Sequence, residues 1–120
     1  MSMHKLPESE LKVLEYIWSE EKTTAKDTAA YMAERFGWKK NTTYTVLKNL
    51  NEKGIIERIE PGFKVIPLIK RMDVAREEAN TLLDRFYDGS VSGLFSAFLK
   101  ENKISQKEMK ELKELFEKEY

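Results

Sequence analysis

Apolar residues recur at three- and four-residue spacing in the first part of the chain, and this period predicts amphipathic helices. The first helix is predicted from about Glu8 to Glu20, after Pro7, a residue that suits a first helical turn. Thr24, with Asp27 three positions later, predicts a capped start of a second helix, and Gly37 predicts its end. The spacing predicts that five residues of this second helix face the protein interior: Ala25, Ala29, Met32, Ala33 and Phe36.

A third helix is predicted between Asn41, which can act as its N-cap, and Gly54, which can act as its C-cap. Its inward stripe consists of Thr43, Val46, Leu47 and Leu50. The short link between the second and third helices is typical of a helix-turn-helix.

Two short β-prone runs follow the third helix and predict a hairpin. The runs are Ile55–Ile59 and Phe63–Ile66, the segment Glu60–Gly62 between them has turn chemistry, and Pro67 closes the second run. Three helices followed by a hairpin form the winged version of the helix-turn-helix. We therefore predict a mainly α protein in which residues 1–71 form a winged-helix DNA-binding domain.

Residues 72–120 return to the helical period and predict three more helices. Asp88 and Gly89 separate the first two, and Ser105 with Glu108 predicts a capping box for the last. So short a segment cannot bury its many large apolar residues internally, so we predict a helical dimerisation domain that pairs two copies of the chain. The predicted dimerisation residues are Leu82, Leu83, Phe86, Leu94, Phe95, Phe98, Leu112 and Phe116.

Composition narrows the classes of function. The chain has 120 residues and no cysteine, which excludes disulfides, thiolate metal sites and cysteine nucleophiles. The one histidine, His4, is predicted to be a tail residue rather than a ligand, and no Gly-rich phosphate loop or H-E-x-x-H pair is present. We therefore predict no metal, no cofactor and no catalytic residue. Because no apolar run is long enough to span a membrane, we also predict a cytoplasmic protein without membrane insertion.

Charge is balanced over the whole chain but not along it. The net charge is zero, yet residues 35–64 hold seven Lys and Arg against three Asp and Glu. The third helix carries polar groups opposite its inward stripe, and such groups can contact base edges or phosphates in double-stranded DNA. The residues predicted to bind DNA are Lys39, Lys40, Asn41, Thr42, Tyr44, Thr45 and Lys48 around the third helix, and Arg58 and Lys64 on the hairpin.

A second interpretation stays open at this point. Any exposed helix face is polar, and a winged helix can also serve as a protein-protein interaction module that binds no DNA. The zero net charge is compatible with that alternative.

One stretch of the chain resembles a known family. Trp38–Gly54, which reads W-K-K-N-T-T-Y-T-V-L-K-N-L-N-E-K-G, followed by Ile55, Ile56 and a later Pro67-Leu68, is similar to the BlaI/MecI/CopY family of bacterial repressors. The likeness extends to residues 6–18 and more loosely to residues 86–90 and 105–115. Nearly the whole chain is covered.

The resemblance implies a function and a switch. Family members are expected to bind dyad operators through the winged helix and to form an intertwined dimer through the C-terminal helices. In the β-lactam branch a regulatory protease triggers cleavage before a phenylalanine, and the corresponding bond here joins Ala97 to Phe98, with alanine where the family usually has asparagine. The paired cysteine motif of the copper branch is absent.

Overall fold

Helices account for most of residues 6–119, which is the part of the chain that the computed structural model describes. The helices are α1 (Glu8–Ser19), α2 (Ala25–Phe36), α3 (Lys40–Glu52), α4 (Arg71–Phe86), α5 (Val91–Lys100) and α6 (Gln106–Glu119). The strands are β1 (Thr23–Thr24), β2 (Ile56–Ile59) and β3 (Lys64–Pro67). The mainly α fold with a hairpin after the third helix is confirmed, whereas His4 lies outside the described residues.

The ends of α2 and α3 follow from capping residues. Thr24 Oγ1 accepts a hydrogen bond from Asp27 N at 3.0 Å, as predicted. Gly37 ends α2 with a left-handed φ of 71°, which glycine adopts without a steric penalty. The C-cap of α3 is Lys53 rather than Gly54, which follows it with a left-handed φ of 76° and donates to Asn51 O at 3.0 Å.

Three details of the predicted helices are wrong. Asn41 does not cap α3: the helix begins at Lys40, and the extended residue before it, Lys39, is the N-cap and makes no side-chain capping bond. In α2, Ala33 and Phe36 are exposed rather than inward. The buried stripe there runs through Ala29 and Met32, and Ala33 is rotated by about 100° from Met32 towards solvent. Phe36 is the last residue of the helix, and Lys12 and Arg35 lie over its ring.

The hairpin belongs to a three-stranded antiparallel sheet in the order β1–β3–β2. Strand β3 pairs with β2 through Arg58 opposite Val65, and with β1 through Thr23 opposite Val65. Strand β1 was not predicted from the sequence because two residues are too few to show an alternating pattern. Through β1, the second strand of the hairpin is tied to the segment that leads into α2.

One hydrophobic core joins α1, α2, α3 and the sheet. All four residues predicted for the inward stripe of α3 are buried, which confirms that stripe. The core consists of Val13, Leu14, Ile17, Ala25, Met32, Val46, Leu47, Leu50, Ile55, Ile56 and Val65. Because α3 buries one face in this core, its opposite face is turned outwards.

A buried ion pair links α1 to the end of α3. Both carboxylate oxygens of Glu10 accept hydrogen bonds from Lys53 Nζ, at 2.7 and 2.9 Å. The Glu10 side chain is only 5% exposed, whereas Lys53 is 41% exposed. Since Lys53 directly follows α3, this pair restrains the C-terminal end of that helix against α1.

Thr43 places an unpaired hydroxyl inside the core. Its side chain is fully buried, and Oγ1 has no hydrogen-bond partner among the described residues. We expect Thr43→Val, which has nearly the same shape, to raise the free energy of unfolding by about 1 kcal/mol because an unpaired buried hydroxyl is removed. Urea denaturation followed by circular dichroism measures this change.

Thr28 provides the matched control for that substitution. It is equally buried, but its Oγ1 donates to Thr24 O at 2.8 Å. Thr28→Val should therefore lower the free energy of unfolding by about 1 kcal/mol. Equal effects of the two substitutions would contradict the assignment of Thr43 as unpaired.

Few side chains are buried in the C-terminal helices, and the buried Val74 of α4 lies before the second unit of the chain. By its residue contacts, the chain divides into two compact units, with the boundary between Glu78 and Ala79 inside α4. The functional boundary between Arg71 and Met72 stays a prediction. The capping box of α6 is confirmed, with Glu108 N donating to Ser105 Oγ at 3.1 Å. Within residues 79–119, every side chain is at least partly exposed.

Candidate nucleic-acid interface

The outward face of α3 presents a row of polar side chains. Four residues of the helix are buried in the core, and the exposed residues opposite them are Asn41, Thr45, Lys48, Asn49 and Glu52. These side chains carry amide, hydroxyl, ammonium and carboxylate groups within the width of one helix. Such a set can donate to and accept from the edges of bases in a major groove.

Two side-chain contacts determine which groups on the outward face of α3 are available to a binding partner. Thr45 Oγ1 donates to Asn41 O at 2.9 Å, so its lone pairs and its methyl group remain for an outside partner. Lys48 Nζ lies 4.0 Å from Glu52 Oε1, and both side chains are more than half exposed. An ion pair this exposed is weak, so Lys48 can exchange Glu52 for another anion.

The start of α3 favours an anion. Lys39 and Lys40 are exposed, and the N-cap provides no side-chain acceptor for the first amides of the helix. Thr42, in the first turn, is exposed as well. Free amides and the positive end of the helix dipole attract phosphate, and the two lysines add charge at the same place.

Tyr44 connects α3 to the hairpin. It is half-buried, and its ring centroid lies 6.2 Å from that of Phe63 in the turn between β2 and β3. Lys40 Nζ lies 5.6 Å from the same tyrosine ring. Phe63 is also held by its backbone, since its carbonyl accepts a hydrogen bond from Ala25 N at 2.9 Å. The turn is therefore fixed against both α2 and α3.

The hairpin, which we call the wing (residues 56–67), carries an organised charge cluster. The Arg58 guanidinium lies 3.8 Å from the Phe63 ring centroid, and Arg58 Nε donates to Glu60 Oε2. Glu60 Oε1 accepts from Phe63 N at 3.1 Å. The hydrogen bond from Arg58, and to a smaller extent the one from Phe63 N, hold the pKa of Glu60 below its ordinary value, so Glu60 is ionised at neutral pH. Lys64 is exposed at the start of β3.

The structure places the predicted DNA-binding residues in two groups. Those from Lys39 to Lys48 lie on one helix and its start, and the wing residue Arg58 is linked to that helix through Phe63 and Tyr44. Tyr44 differs from the other residues because it packs against the core. The roles of Glu60 and Phe63 were not predicted from the sequence. Arg58 lies on β2, whereas Glu60 and Phe63 lie in the turn that follows this strand, so the period of a strand does not predict their contact.

An apolar groove lies between α5 and α6. It has a volume of about 370 Å³ and is lined by Phe95, Leu99, Ile104, Met109, Leu112 and Phe116, with Lys113 and Glu117 at its edge. Of the residues predicted for dimerisation, Leu82, Phe86, Phe98 and Phe116 are exposed, and Leu83, Leu94, Phe95 and Leu112 are half-buried. Their role in pairing stays a prediction.

Residues 6–119 contain neither a metal-binding cluster nor a membrane-spanning helix. No group of three or more His, Cys, Asp or Glu side chains in this part of the chain is arranged to hold a metal ion. No helix there combines the length and the apolar character needed to cross a membrane.

A polar helix face beside a wing defines a winged helix-turn-helix protein, and comparison with solved structures agrees on the fold. The solution structure of the DNA-binding domain of the repressor BlaI superposes with a TM-score of 0.55 at 23% identity, covering 60% of this chain and 90% of that domain. The sequence model of the family described as penicillinase repressor matches residues 6–118, and the chain belongs to that family. Its class is therefore that of a transcriptional repressor, and the predicted resemblance is confirmed.

Relatives share nearly the full length of the chain. The penicillinase repressor of Bacillus licheniformis is 27% identical over 120 residues, which cover 96% of this chain and 94% of that protein. The methicillin resistance regulatory protein MecI of Mammaliicoccus sciuri is 22% identical, with 96% of this chain and 95% of that protein covered.

Proposed function

We propose that the protein represses transcription as a homodimer bound to a double-stranded DNA operator with approximate dyad symmetry. Residues 1–71 bind DNA in this proposal, and residues 72–120 pair the two copies. Repression results from occupancy of the operator and requires no cofactor, metal or catalytic step. We place this activity in the cytoplasm.

The polar face of α3 is the observation that carries this proposal. An α-helix fits the major groove of B-DNA, and the exposed side chains of Asn41, Thr45 and Lys48 would reach base edges there. Thr45 would accept a hydrogen bond or contact a thymine methyl, because its own proton is used within the helix. Lys39, Lys40 and Thr42 at the start of α3 would bind backbone phosphates and so position the helix.

The wing supplies additional backbone contacts in this proposal. Arg58 and Lys64 are exposed on it, and its turn is fixed to α3 through Phe63 and Tyr44. Positively charged side chains on a wing beside a DNA-binding helix can bind the phosphates that flank the major groove.

Pairing through the C-terminal helices is supported by their exposed apolar surface. The α5–α6 groove and the exposed Leu82, Phe86, Phe98 and Phe116 lie in a unit that buries none of its described side chains. Water contact at so many large apolar groups is unfavourable, and a second copy of the chain would cover them. A dimer would also present two α3 helices to two half-sites.

A regulatory protease could reverse repression by cutting between Ala97 and Phe98. This bond lies inside α5, with Phe98 exposed and Ala97 half-buried. Because proteolysis acts on opened backbone, we propose that cleavage requires local unfolding of α5 first.

Binding to DNA is tested by selecting sequences from a random duplex pool with the purified protein. We expect a selected duplex with dyad symmetry, bound more tightly than a scrambled duplex of the same composition and more weakly as salt is raised. Fluorescence anisotropy at several salt concentrations measures both effects. Equal affinity for both duplexes at every salt concentration would instead favour a protein-protein interaction module.

Two lysines of α3 should respond differently to replacement. Lys48→Ala should weaken binding to the selected duplex by about 1 to 3 kcal/mol per half-site and relax the base preference, because an interaction with a base edge is removed. Lys40→Ala should weaken binding to the selected and the scrambled duplex alike, because phosphates do not carry sequence. Lys107→Ala, exposed on α6, is the charge-matched control and should leave both affinities unchanged. A uniform decrease in affinity from Lys48→Ala would contradict its base-reading role.

A further inference from the structure

The guanidinium of Arg58 is restrained on two sides. Its central carbon lies 3.8 Å from the centroid of the Phe63 ring, and Nε is bonded to the Glu60 carboxylate. The terminal groups Nη1 and Nη2 make no hydrogen bond within residues 6–119, and the side chain is 49% exposed. The engaged nitrogen is thus the inner one, and the outer edge with its four N–H donors remains open.

Glu60 is itself held by the turn. Its second oxygen accepts from Phe63 N at 3.1 Å, so the same residue supports both the carboxylate and the guanidinium. The Phe63 carbonyl in turn accepts from Ala25 N at 2.9 Å, and its ring packs beside Tyr44 of α3. A chain of contacts therefore fixes the direction of Arg58 relative to α3.

We propose that Glu60 is a positioning residue that fixes Arg58 so that its outer edge binds a phosphate of the DNA backbone. This inference rests on the proposed function. A phosphodiester offers two non-bridging oxygens, which match the paired N–H donors of a guanidinium edge. An acidic residue in a basic surface repels phosphate, so its net effect on affinity combines this repulsion with the benefit of a preordered arginine.

Two substitutions separate these opposite effects because they remove the same charge. Glu60→Gln keeps an oxygen that can accept from Arg58 Nε, whereas Glu60→Ala keeps none. Repulsion of phosphate is relieved equally in both, so we expect Glu60→Gln to bind at least as tightly as the unsubstituted protein. Glu60→Ala should bind about 3- to 10-fold more weakly than Glu60→Gln, because Arg58 must then be ordered during binding.

The test is a double-mutant cycle measured by fluorescence anisotropy with the full chain and the selected duplex. The difference between Glu60→Ala and Glu60→Gln should vanish when both carry Arg58→Ala. Arg58→Ala alone should lower the steepness of the salt dependence by about 0.9 for each phosphate that is no longer neutralised. Equal affinities of the two Glu60 variants, or a difference that persists without Arg58, would overturn the inference.

A readout without DNA completes the test. In proton-nitrogen NMR spectra, the Arg58 Nε–H signal should show restricted motion in the unsubstituted protein and in Glu60→Gln, and fast motion in Glu60→Ala. Equal mobility in all three proteins would also overturn the inference. If the unsubstituted protein fails to bind any duplex, the proposed function and this inference fail together. If DNA binding is present but the Glu60 variants agree, only the inference fails.

Discussion

Phe116→Asp is expected to convert the protein to a monomer at micromolar concentration and to abolish its preference for a dyad. Phe116 is 61% exposed and lines the apolar groove between α5 and α6. A large aromatic anchor contributes about 2 kcal/mol or more to an interface. A twofold interface contains each substitution twice, so the dimer dissociation constant should rise about a thousandfold or more.

Light scattering and anisotropy with the selected duplex measure this result, and circular dichroism checks that the helices persist. Lys110→Gln, on the polar side of α6, changes the net charge by the same amount and should leave the dimer intact. A Phe116→Asp protein that remains dimeric would remove the α5–α6 groove from the proposed interface.

Lys53→Met is expected to lower the free energy of unfolding by about 2 to 4 kcal/mol. The substitution leaves the Glu10 carboxylate buried without its partner, and an uncompensated buried charge is strongly unfavourable. The expected decrease is at the lower end for a buried pair because Lys53 is 41% exposed and partly hydrated. Urea denaturation provides the measurement.

The double substitution Glu10→Met with Lys53→Met distinguishes an unpaired charge from removal of the lysine itself. With both charges replaced by apolar side chains, stability should return to within about 1 kcal/mol of the unsubstituted protein, or exceed it. Failure of the double substitution to recover stability would mean that the Lys53 side chain matters for another reason.

The parts of the fold that depend on helical periodicity could be predicted from the sequence. The stripe of α3 from Thr43 to Leu50 is one example, since every side chain on it is buried. Features that depend on tertiary contacts could not be predicted from the sequence. Phe36 looks like a core residue by spacing, but Lys12 and Arg35 lie over its ring near the surface, at 4.8 and 5.2 Å. Asn41 has the chemistry of an N-cap, which is why the sequence predicts it at the start of α3, but it already lies within the helix.

The candidate interface divides in the same way. Lys39, Lys40 and the polar face of α3 could be predicted, because a buried stripe leaves the opposite residues exposed. Sequence patterns do not predict the arrangement of Arg58, Glu60 and Phe63, because this arrangement depends on the conformation of a turn. Turn chemistry in the sequence predicts that a hairpin forms but not which side chains meet across it.

The anchoring of the wing limits how it can be used in protein engineering. Two four-residue strands joined by a turn are at best marginally stable when isolated in water. Here the turn relies on Ala25 N and on the ring of Tyr44, which belong to α2 and α3. A hairpin transplanted onto another helix-turn-helix protein would lack both supports, so the transferable unit is the wing together with the start of α2 and the helical turn of α3 that carries Tyr44.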